Sequence, residues 1–538
     1  MSDDYLRRLI GQIMICGFPS PYLDPQVQEL IREYHVGNII LFARNILSYG
    51  QIAELTGTLQ KLARDNGQTT PLIIATDQEN GMVSRLSPDI PGLPGNMALG
   101  AAQDANLAYD AGVMTGKFLQ RAGINMNLAP VLDINNNPLN PVIGVRSFGD
   151  TPLEVGSMGL AMVQGLEKSG VLACGKHFPG HGDTYLDSHR DLPHIGHDLK
   201  RMHRFELIPF KAVIDKGIAA IMTAHVVFDQ LDPLHPATLS PQVLGGLLRD
   251  TLGFGGVITT DCLEMAAISG TVGVGPGAVM ALAAGADMIM VSHRLAWQKE
   301  AMNAIYEALT QGVLPLSRLE EAGERIARLK TRVSLPAEYP VGEMKGDLTR
   351  ALNLQEELSL KALNCLYDQG EEQGSSQPIP FPSPTSVYFM YDANVPPMMV
   401  QGPMPAKALT DSLRLLWEDV RIQVSTVDEA MALTDKLSHY DWLIYLSSGL
   451  TAPDENLGTL LSDHPHSVVW LVRTPYLFPW FKNHGAKRVY ALYENTPWMM
   501  KAALRALLGQ GAWGRLAVRV EDYPAGYKAY GGTMRTTR

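Results

Sequence analysis

The sequence predicts an α/β protein: an N-terminal (β/α)8 barrel of the TIM type, followed by a smaller α/β sandwich domain with a mostly parallel sheet. Three observations lead there. Eight apolar, β-rich runs recur through the first 300 residues with helical stretches between them, the pattern of parallel strands joined by crossover helices. Nearly every run ends in a polar residue that a core would not choose, as the catalytic rim of a barrel requires. A Pro-, Ser- and Gly-rich stretch, DQGEEQGSSQPIPFPSPTS (368 to 386), then separates these runs from a second set.

In order, the runs are IGQIMICGF (10 to 18), VGNIILFAR (36 to 44), PLIIATDQE (71 to 79), INMNLAPVLDI (124 to 134), VLACGKHF (171 to 178), IAAIMTAHVVF (218 to 228), GGVITTDCLEM (255 to 265) and ADMIMVSH (286 to 293). Their polar ends are Arg44, Asp77, Asp133, His177, His225, Asp261 and His293. Between them, LEVGSMGLAMVQGLEKSG (153 to 170) has apolar residues at helical spacing and a glycine stop. After the last run, 316 to 335 reads as an amphipathic helix, and a further helix spans about Asp347 to Leu366. The expected division is a catalytic barrel over 1–340, a helical connection and linker over 341–385, and a C-terminal α/β domain over 386–538. The strands of that last domain are SVYFMYD, DWLIYLSS, SVVWLVRT and RVYALY, and a helix covers 497 to 510.

Composition limits the function. At 538 residues the chain suits two or three domains, and 46% hydrophobic content supports sizeable cores. A net charge of -11 with interspersed cations argues against nucleic acid or an anionic membrane surface as partner. The four cysteines, Cys16, Cys174, Cys262 and Cys365, form no CxxC pair and read as reduced and buried. The N-terminal apolar run is short and preceded by acids, so neither a membrane span nor a secretory signal is expected. A cytoplasmic location is the expectation, although an exported mature form would read the same way. Oligomeric state is not legible.

Residues 171–191, VLACGKHFPGHGDTYLDSHRD, concentrate more reactive groups than any other stretch. A strand ending in Lys176 and His177 leads into a loop whose Gly180 and Gly182 free the backbone for positive φ. Asp187 stands two residues before His189, so its carboxylate can accept the Nδ1 proton, fix the tautomer and raise the basicity of Nε2. The alternative is an ordinary hydrogen-bonded surface histidine. Asp261 follows VITT at a strand end, where flanking apolar residues would hold a carboxylate rigidly at the barrel mouth, or caps the helix that follows. Asp77 in IIATDQENG is suited to bind a hydroxyl or to cap a turn. Histidines and acids in these numbers could also satisfy zinc. The HEXXH spacing is absent, however, and Lys176 would place a cation beside the ion, so neither metal nor cofactor is expected.

These segments together resemble glycoside hydrolase family 3, specifically its β-N-acetylglucosaminidases of the two-domain form. KHFPGHGDTYLDSH resembles the family's acid/base loop, which implies His189 as acid/base oriented by Asp187. VITTDCLEM resembles the nucleophile segment and implies Asp261. ATDQENG, the nearby SRL and NPVIGVRSFG resemble sugar-binding segments, which implies Asp77, Arg85 and Arg146 as substrate-binding residues together with Lys176 and His177. Asn80 departs from the glycine usual in the family, and Met82 from a frequent arginine. The closing ENTPWMMKAALRALLGQGAWGRLAV resembles the family's second domain. The implied activity is that of a retaining exo-β-N-acetylglucosaminidase acting on a small carbohydrate, from peptidoglycan fragments or chitooligosaccharides. A phosphorylase using the same residues is the alternative, with a non-catalytic sugar-binding protein and a metallohydrolase as further readings. A histidine carried on a mobile loop is expected to stay away from Asp261 until substrate binds. His181 and Asp183 are expected to shape that loop.

Overall fold

A computed structural model describes residues 3–86, 89–333, 335, 344–369, 382–392, 419–510 and 512–527. All eight predicted runs contribute a parallel strand: β1 Met14–Cys16, β2 Asn38–Leu41, β3 Ile73–Thr76, β4 Met126–Asn127, β5 Leu172–Phe178, β6 Ala220–Thr223, β7 Val257–Thr259 and β8 Ile289–Val291. Each pairs with the next in order from β1 to β7, and β8 returns to β1. Thr259 bridges Met288 in parallel, and Thr260 N–H donates to the Met288 carbonyl at 2.9 Å, which closes the barrel between β7 and β8. At that seam Asp287 is fully buried among Arg249, Arg318 and Arg325.

The strands are shorter than the apolar runs, for local reasons. Residues up to Ile13 belong to the helix Asp3–Ile13, where Asp3 and Asp4 pair with Arg7 and Arg8 one turn on and place negative charge at the positive, N-terminal end of the helix dipole. The run 218 to 228 breaks after Thr223, because Ala224 turns out of the barrel and accepts from Thr238 N–H. Its remainder, Val227–Phe228, joins a small sheet with His194–Ile195 and Asp232–Pro236 on the rim. The helix expected over 153 to 170 is Pro152–Lys168, ended by Gly170 at φ +80°.

The second domain holds a six-stranded sheet in the order β9-β14-β13-β12-β10-β11. Its strands are β9 Asn364–Asp368, β10 Ser386–Tyr391, β11 Arg421–Thr426, β12 Trp442–Ser447, β13 Ser467–Leu471 and β14 Arg488–Ala491. All pair in parallel except β9, which runs antiparallel to β14. Two strands differ from expectation. The helix expected to reach Leu366 ends at Ala362, and the next residues form β9, held by the buried Arg488–Asp368 ion pair at 2.7 Å. β11 is an edge strand with alternating exposure, so its run is too polar to read as buried. Of the expected connection and linker over 341–385, residues 341–343 and 370–381 lie outside the described residues.

The two domains share a core. Met97, Ala98 and Ala101 of the barrel helix Asn96–Ala102 pack into the hydrophobic cluster of the second sheet. Polar contacts follow the same seam: Asn135 Nδ2 donates to Tyr476 Oη at 2.8 Å, and Arg519 N–H to Asp150 Oδ2 at 2.6 Å. All four cysteines are free and buried. Among the described residues no helix is long and apolar enough to cross a membrane.

Candidate active site

The C-terminal ends of the barrel strands surround a cavity of about 250 Å³, on the scale of one sugar ring. Every site residue expected from the sequence except Asp187 lines it: Asp77, Arg85, Arg146, Lys176, His177, His189 and Asp261. Asp187 lies one step behind, on His189.

Lys176 and His177 are adjacent in β5, and a regular strand would send them to opposite faces. The pairing of β5 with β6 shifts register between Gly175 and Phe178, and this irregularity lets both side chains reach the cavity. Lys176 Nζ lies 2.7 Å from both Asp77 Oδ1 and Glu79 Oε1. Burial works against its charge, but the two carboxylates hold its pKa above the usual lysine range. Glu79 also takes Arg146 in a two-pronged pair, Nη2 to Oε1 at 2.8 Å and Nε to Oε2 at 2.9 Å. Burial would raise the Glu79 pKa, yet Arg146 and Lys176 pull it far below the ordinary glutamate value. The result is a fixed, ionised corner with Asp77 on its open side.

His177 is locked from behind. Its Nδ1 donates to Asp133 Oδ2 at 2.7 Å, which turns Nε2 toward the cavity and Arg146. Asp133 also accepts from the backbone N–H groups of His177 and His181, so one buried carboxylate fixes both the strand end and the start of the loop.

The loop is tied down at both shoulders. Asn140 Nδ2 donates to the carbonyls of His181 and Gly182, each at 2.9 Å, and Asn137 Nδ2 to that of Thr184 at 3.1 Å. His181 bridges Thr184 Oγ1 at 2.9 Å and Ser188 Oγ at 3.0 Å. Burial, with the charge of His177 adding to it, pushes the His181 pKa down to about 4, so the ring stays neutral. Asp183 pairs with His197 at 2.8 Å. Gly180 takes the expected positive φ of 137°, but Gly182 does not; it is glycine because a Cβ would lie 1.7 Å from the Ile134 carbonyl oxygen.

Asp187 Oδ1 accepts from both Nδ1 and the backbone N–H of His189, at 2.7 and 2.9 Å. Burial alone would raise the Asp187 pKa; these bonds lower it below the usual aspartate value. Nε2 of His189 is thereby left to exchange a proton in the cavity. Contrary to the expectation of a withdrawn histidine, His189 already lines the cavity with Asp261, and the Ser188 carbonyl accepts from Ala267 N–H just beyond the β7 end. The ties at Asn137, Asn140 and His181 account for this inward position.

Asp261 does not cap the next helix, Ala266–Ser269, which begins at Met265 without a side-chain cap. Its Oδ1 accepts instead from Cys262 N–H at 2.7 Å. His225, buried behind it, donates from Nε2 to the Cys262 carbonyl at 3.0 Å and so steadies the same peptide. Burial would raise the Asp261 pKa, but His225, His177 and His189, with the Cys262 N–H, outweigh it and keep the carboxylate ionised. An ionised acid on a rigid strand end, facing a hydrogen-bonded imidazole across a sugar-sized cavity, is the equipment for covalent glycosyl transfer.

The family model described as the glycosyl hydrolase family 3 N-terminal domain matches residues 6–329. The chain belongs to glycosyl hydrolase family 3. Within that family it is 39% identical over 340 residues to a protein of Pseudoalteromonas piscicida named beta-hexosaminidase A, a match that covers 59% of this chain and 57% of that protein. It is also 39% identical over 279 residues to a beta-hexosaminidase of Neisseria meningitidis serogroup C, covering 51% and 75%. Among solved structures, a family 3 β-N-acetylglucosaminidase from Paenibacillus sp. aligns with a TM-score of 0.85 and 39% identity over 96% of this chain and 99% of that one. That alignment extends the family 3 architecture through the second domain.

Several residues that build the site have no individual role assigned from the sequence. Glu79 is the shared acceptor of the two cations, yet within ATDQENG it reads only as a neighbour of Asp77. Asp133 and His225 end apolar runs and look like rim groups, but both brace backbone from behind. Glu264 and His293 line the cavity as well, with Glu264 Oε1 accepting from His293 N–H at 2.6 Å. Asn80 takes φ +70°; its side chain bonds Gln78 and Thr115, which suits asparagine to this conformation.

Proposed function

We propose that the protein is a retaining, exo-acting β-N-acetylglucosaminidase that removes terminal β-linked N-acetylglucosamine from peptidoglycan fragments or chitooligosaccharides in the cytoplasm. The observation that carries the reading is the shared cavity of Asp261 and the His189–Asp187 pair, beside the fixed corner of Asp77, Glu79, Arg146 and Lys176. The names of the relatives support the same activity.

In this reading the corner and His177 grip the sugar hydroxyls and place the anomeric carbon over Asp261. The Asp261 carboxylate attacks, the bond to the leaving oxygen breaks, and His189 Nε2 gives that oxygen its proton. Nδ1 stays on Asp187, which stabilises the imidazolium whenever His189 is protonated. Water then enters, His189 takes its proton, and the aspartyl ester is cleaved with net retention. A neutral acid/base in place of a second carboxylate lowers negative charge at the leaving-group side and suits anionic aglycones such as lactyl-bearing sugars.

The test is product analysis on a panel of β-glycosides, including peptidoglycan fragments, with phosphate present or absent. Release of free N-acetylglucosamine independent of phosphate is expected. Formation of the sugar 1-phosphate would convert the reading to a phosphorylase, and Asp261→Ala retaining activity on an aryl N-acetylglucosaminide would end it.

A further inference from the structure

Glu494 belongs to the second domain, in the segment ENTPW between β14 and the helix Pro497–Arg505, yet its side chain is buried at the seam with the barrel. Oε1 accepts from Thr496 Oγ1 at 2.7 Å and from Trp498 Nε1 at 2.8 Å, within its own domain. Oε2 reaches across and accepts from the Gly95 N–H of the barrel at 2.8 Å.

Gly95 is where two barrel segments cross. On one side it meets the turn Asn80–Gly81. A Cβ on Gly81 would stand 2.5 Å from Glu494 Oε2 and 2.7 Å from Gly95 Cα, so only glycine permits this approach. The same turn is held by Gly81 N–H donating to the Leu93 carbonyl at 2.8 Å, and Glu79 immediately precedes it. On the other side Asn96, the next residue after Gly95, donates from Nδ2 to the Arg146 carbonyl at 2.6 Å. Glu79, Asn80, Gly95, Arg146, Tyr493 and Glu494 enclose a void of about 10 Å³, at the lower limit for one water molecule. Glu494 therefore anchors a residue whose neighbours hold both members of the Glu79–Arg146 pair.

We propose that Glu494 is a positioning residue for the reaction: from the second domain it sets the Glu79–Arg146 pair that, on the glycosidase reading above, shapes the sugar-binding corner. Adhesion of the domains does not require a carboxylate there. The shared core around Met97 and Ala101 and the Tyr476–Asn135 and Arg519–Asp150 contacts already join them. Burying an acid is costly, and an apolar side chain would serve adhesion better. A carboxylate is the group that can accept from Gly95, Thr496 and Trp498 together. The second domain, on this view, forms the back wall of the sugar site without touching the sugar.

Full-length Glu494→Gln and Gly81→Ala variants test this with an aryl β-N-acetylglucosaminide. Both are expected to raise KM about tenfold while kcat stays within about twofold of wild type, the signature of weakened sugar binding with the chemistry intact. The inhibition constant for free N-acetylglucosamine should rise in parallel. Trp498→Phe removes the indole N–H, together with the outer ring edge that lies against Gly92, and leaves the Glu494 carboxylate in place; it is the second variant should the others fail to fold, with an expected KM increase of about threefold. A loss confined to thermal stability, with KM and the inhibition constant unmoved, would overturn the positioning role. Wild-type enzyme inactive on the whole glycoside panel would instead remove the glycosidase reading, so the two failures are distinguishable.

Discussion

One oxygen of Glu79 lies 2.7 Å from Lys176 Nζ and 2.8 Å from Arg146 Nη2, so a single buried carboxylate atom joins the two cations of the corner proposed to bind the sugar. Both cations depend on it, and only Lys176 has a second carboxylate partner, Asp77. Glu79→Gln leaves a buried guanidinium without its counter-charge. A stability loss of about 3–5 kcal/mol is expected in a denaturant titration, with at least a tenfold rise in KM in the protein that folds. A variant with wild-type midpoint and KM would show that the pair is not needed.

The hydrogen bond from His189 Nδ1 to Asp187 separates positioning from chemistry. Asp187→Asn removes the charge that stabilises imidazolium and invites the wrong tautomer. With a poor alkyl leaving group, kcat/KM should fall about a hundredfold or more; with a nitrophenyl leaving group, which departs without a proton, the first step should change little. Equal losses on both substrates would argue against His189 as the acid.

Asp287 offers a contrast, because it is equally buried but does not line the cavity. Three arginines and the Ile258 N–H converge on it where β7 meets β8. Asp287→Asn should destabilise the fold by about 3–5 kcal/mol while the folded fraction keeps wild-type KM and kcat. Altered KM would mean that the barrel seam communicates with the site.

How far the sequence could be read follows from which groups do which work. Strand ends were legible at Asp77, His177 and Asp261 because a polar residue after an apolar run has few other uses in a barrel. Asp187–Ser188–His189 was legible because the pairing is local. Glu79 and Asn140 were not, and Asp133 reads only as a strand end, since each acts on residues 40 to 100 positions away and no local pattern marks such a partner. The same limit explains the second domain. β9 follows a helix directly and pairs with β14 more than 100 residues later, so its residues look like the end of the helix. Asp261 shows the opposite case: its two uses, cap or rim group, were open in the sequence, and the position of the next helix start separates them.

The seam carries a pH signature. Burial raises the Glu494 pKa from 4.5 to about 7, against the pull of Gly95, Thr496 and Trp498. Between these two values the folded protein holds a proton that the unfolded chain has released. This contribution to stability is therefore complete below about pH 4.5 and is lost as pH rises through about 7. Arg146, facing the same void, stays charged throughout this window. Thermal midpoints measured from pH 5 to 8 should show a decline in wild type that is shallower in Glu494→Gln; identical slopes would place the titrating group elsewhere.

The antiparallel strand β9 has a consequence for anyone who would divide the chain. It lies before residues 370–381, yet it is the outermost ribbon of the second sheet, riveted by Asp368 to Arg488. A cut inside 370–381 would give a barrel fragment trailing an unpaired strand and a C-terminal fragment with a bare sheet edge, each inviting association with other chains. Cut there, the two fragments should recombine when mixed, as split reporters do, because each carries the other's missing ribbon.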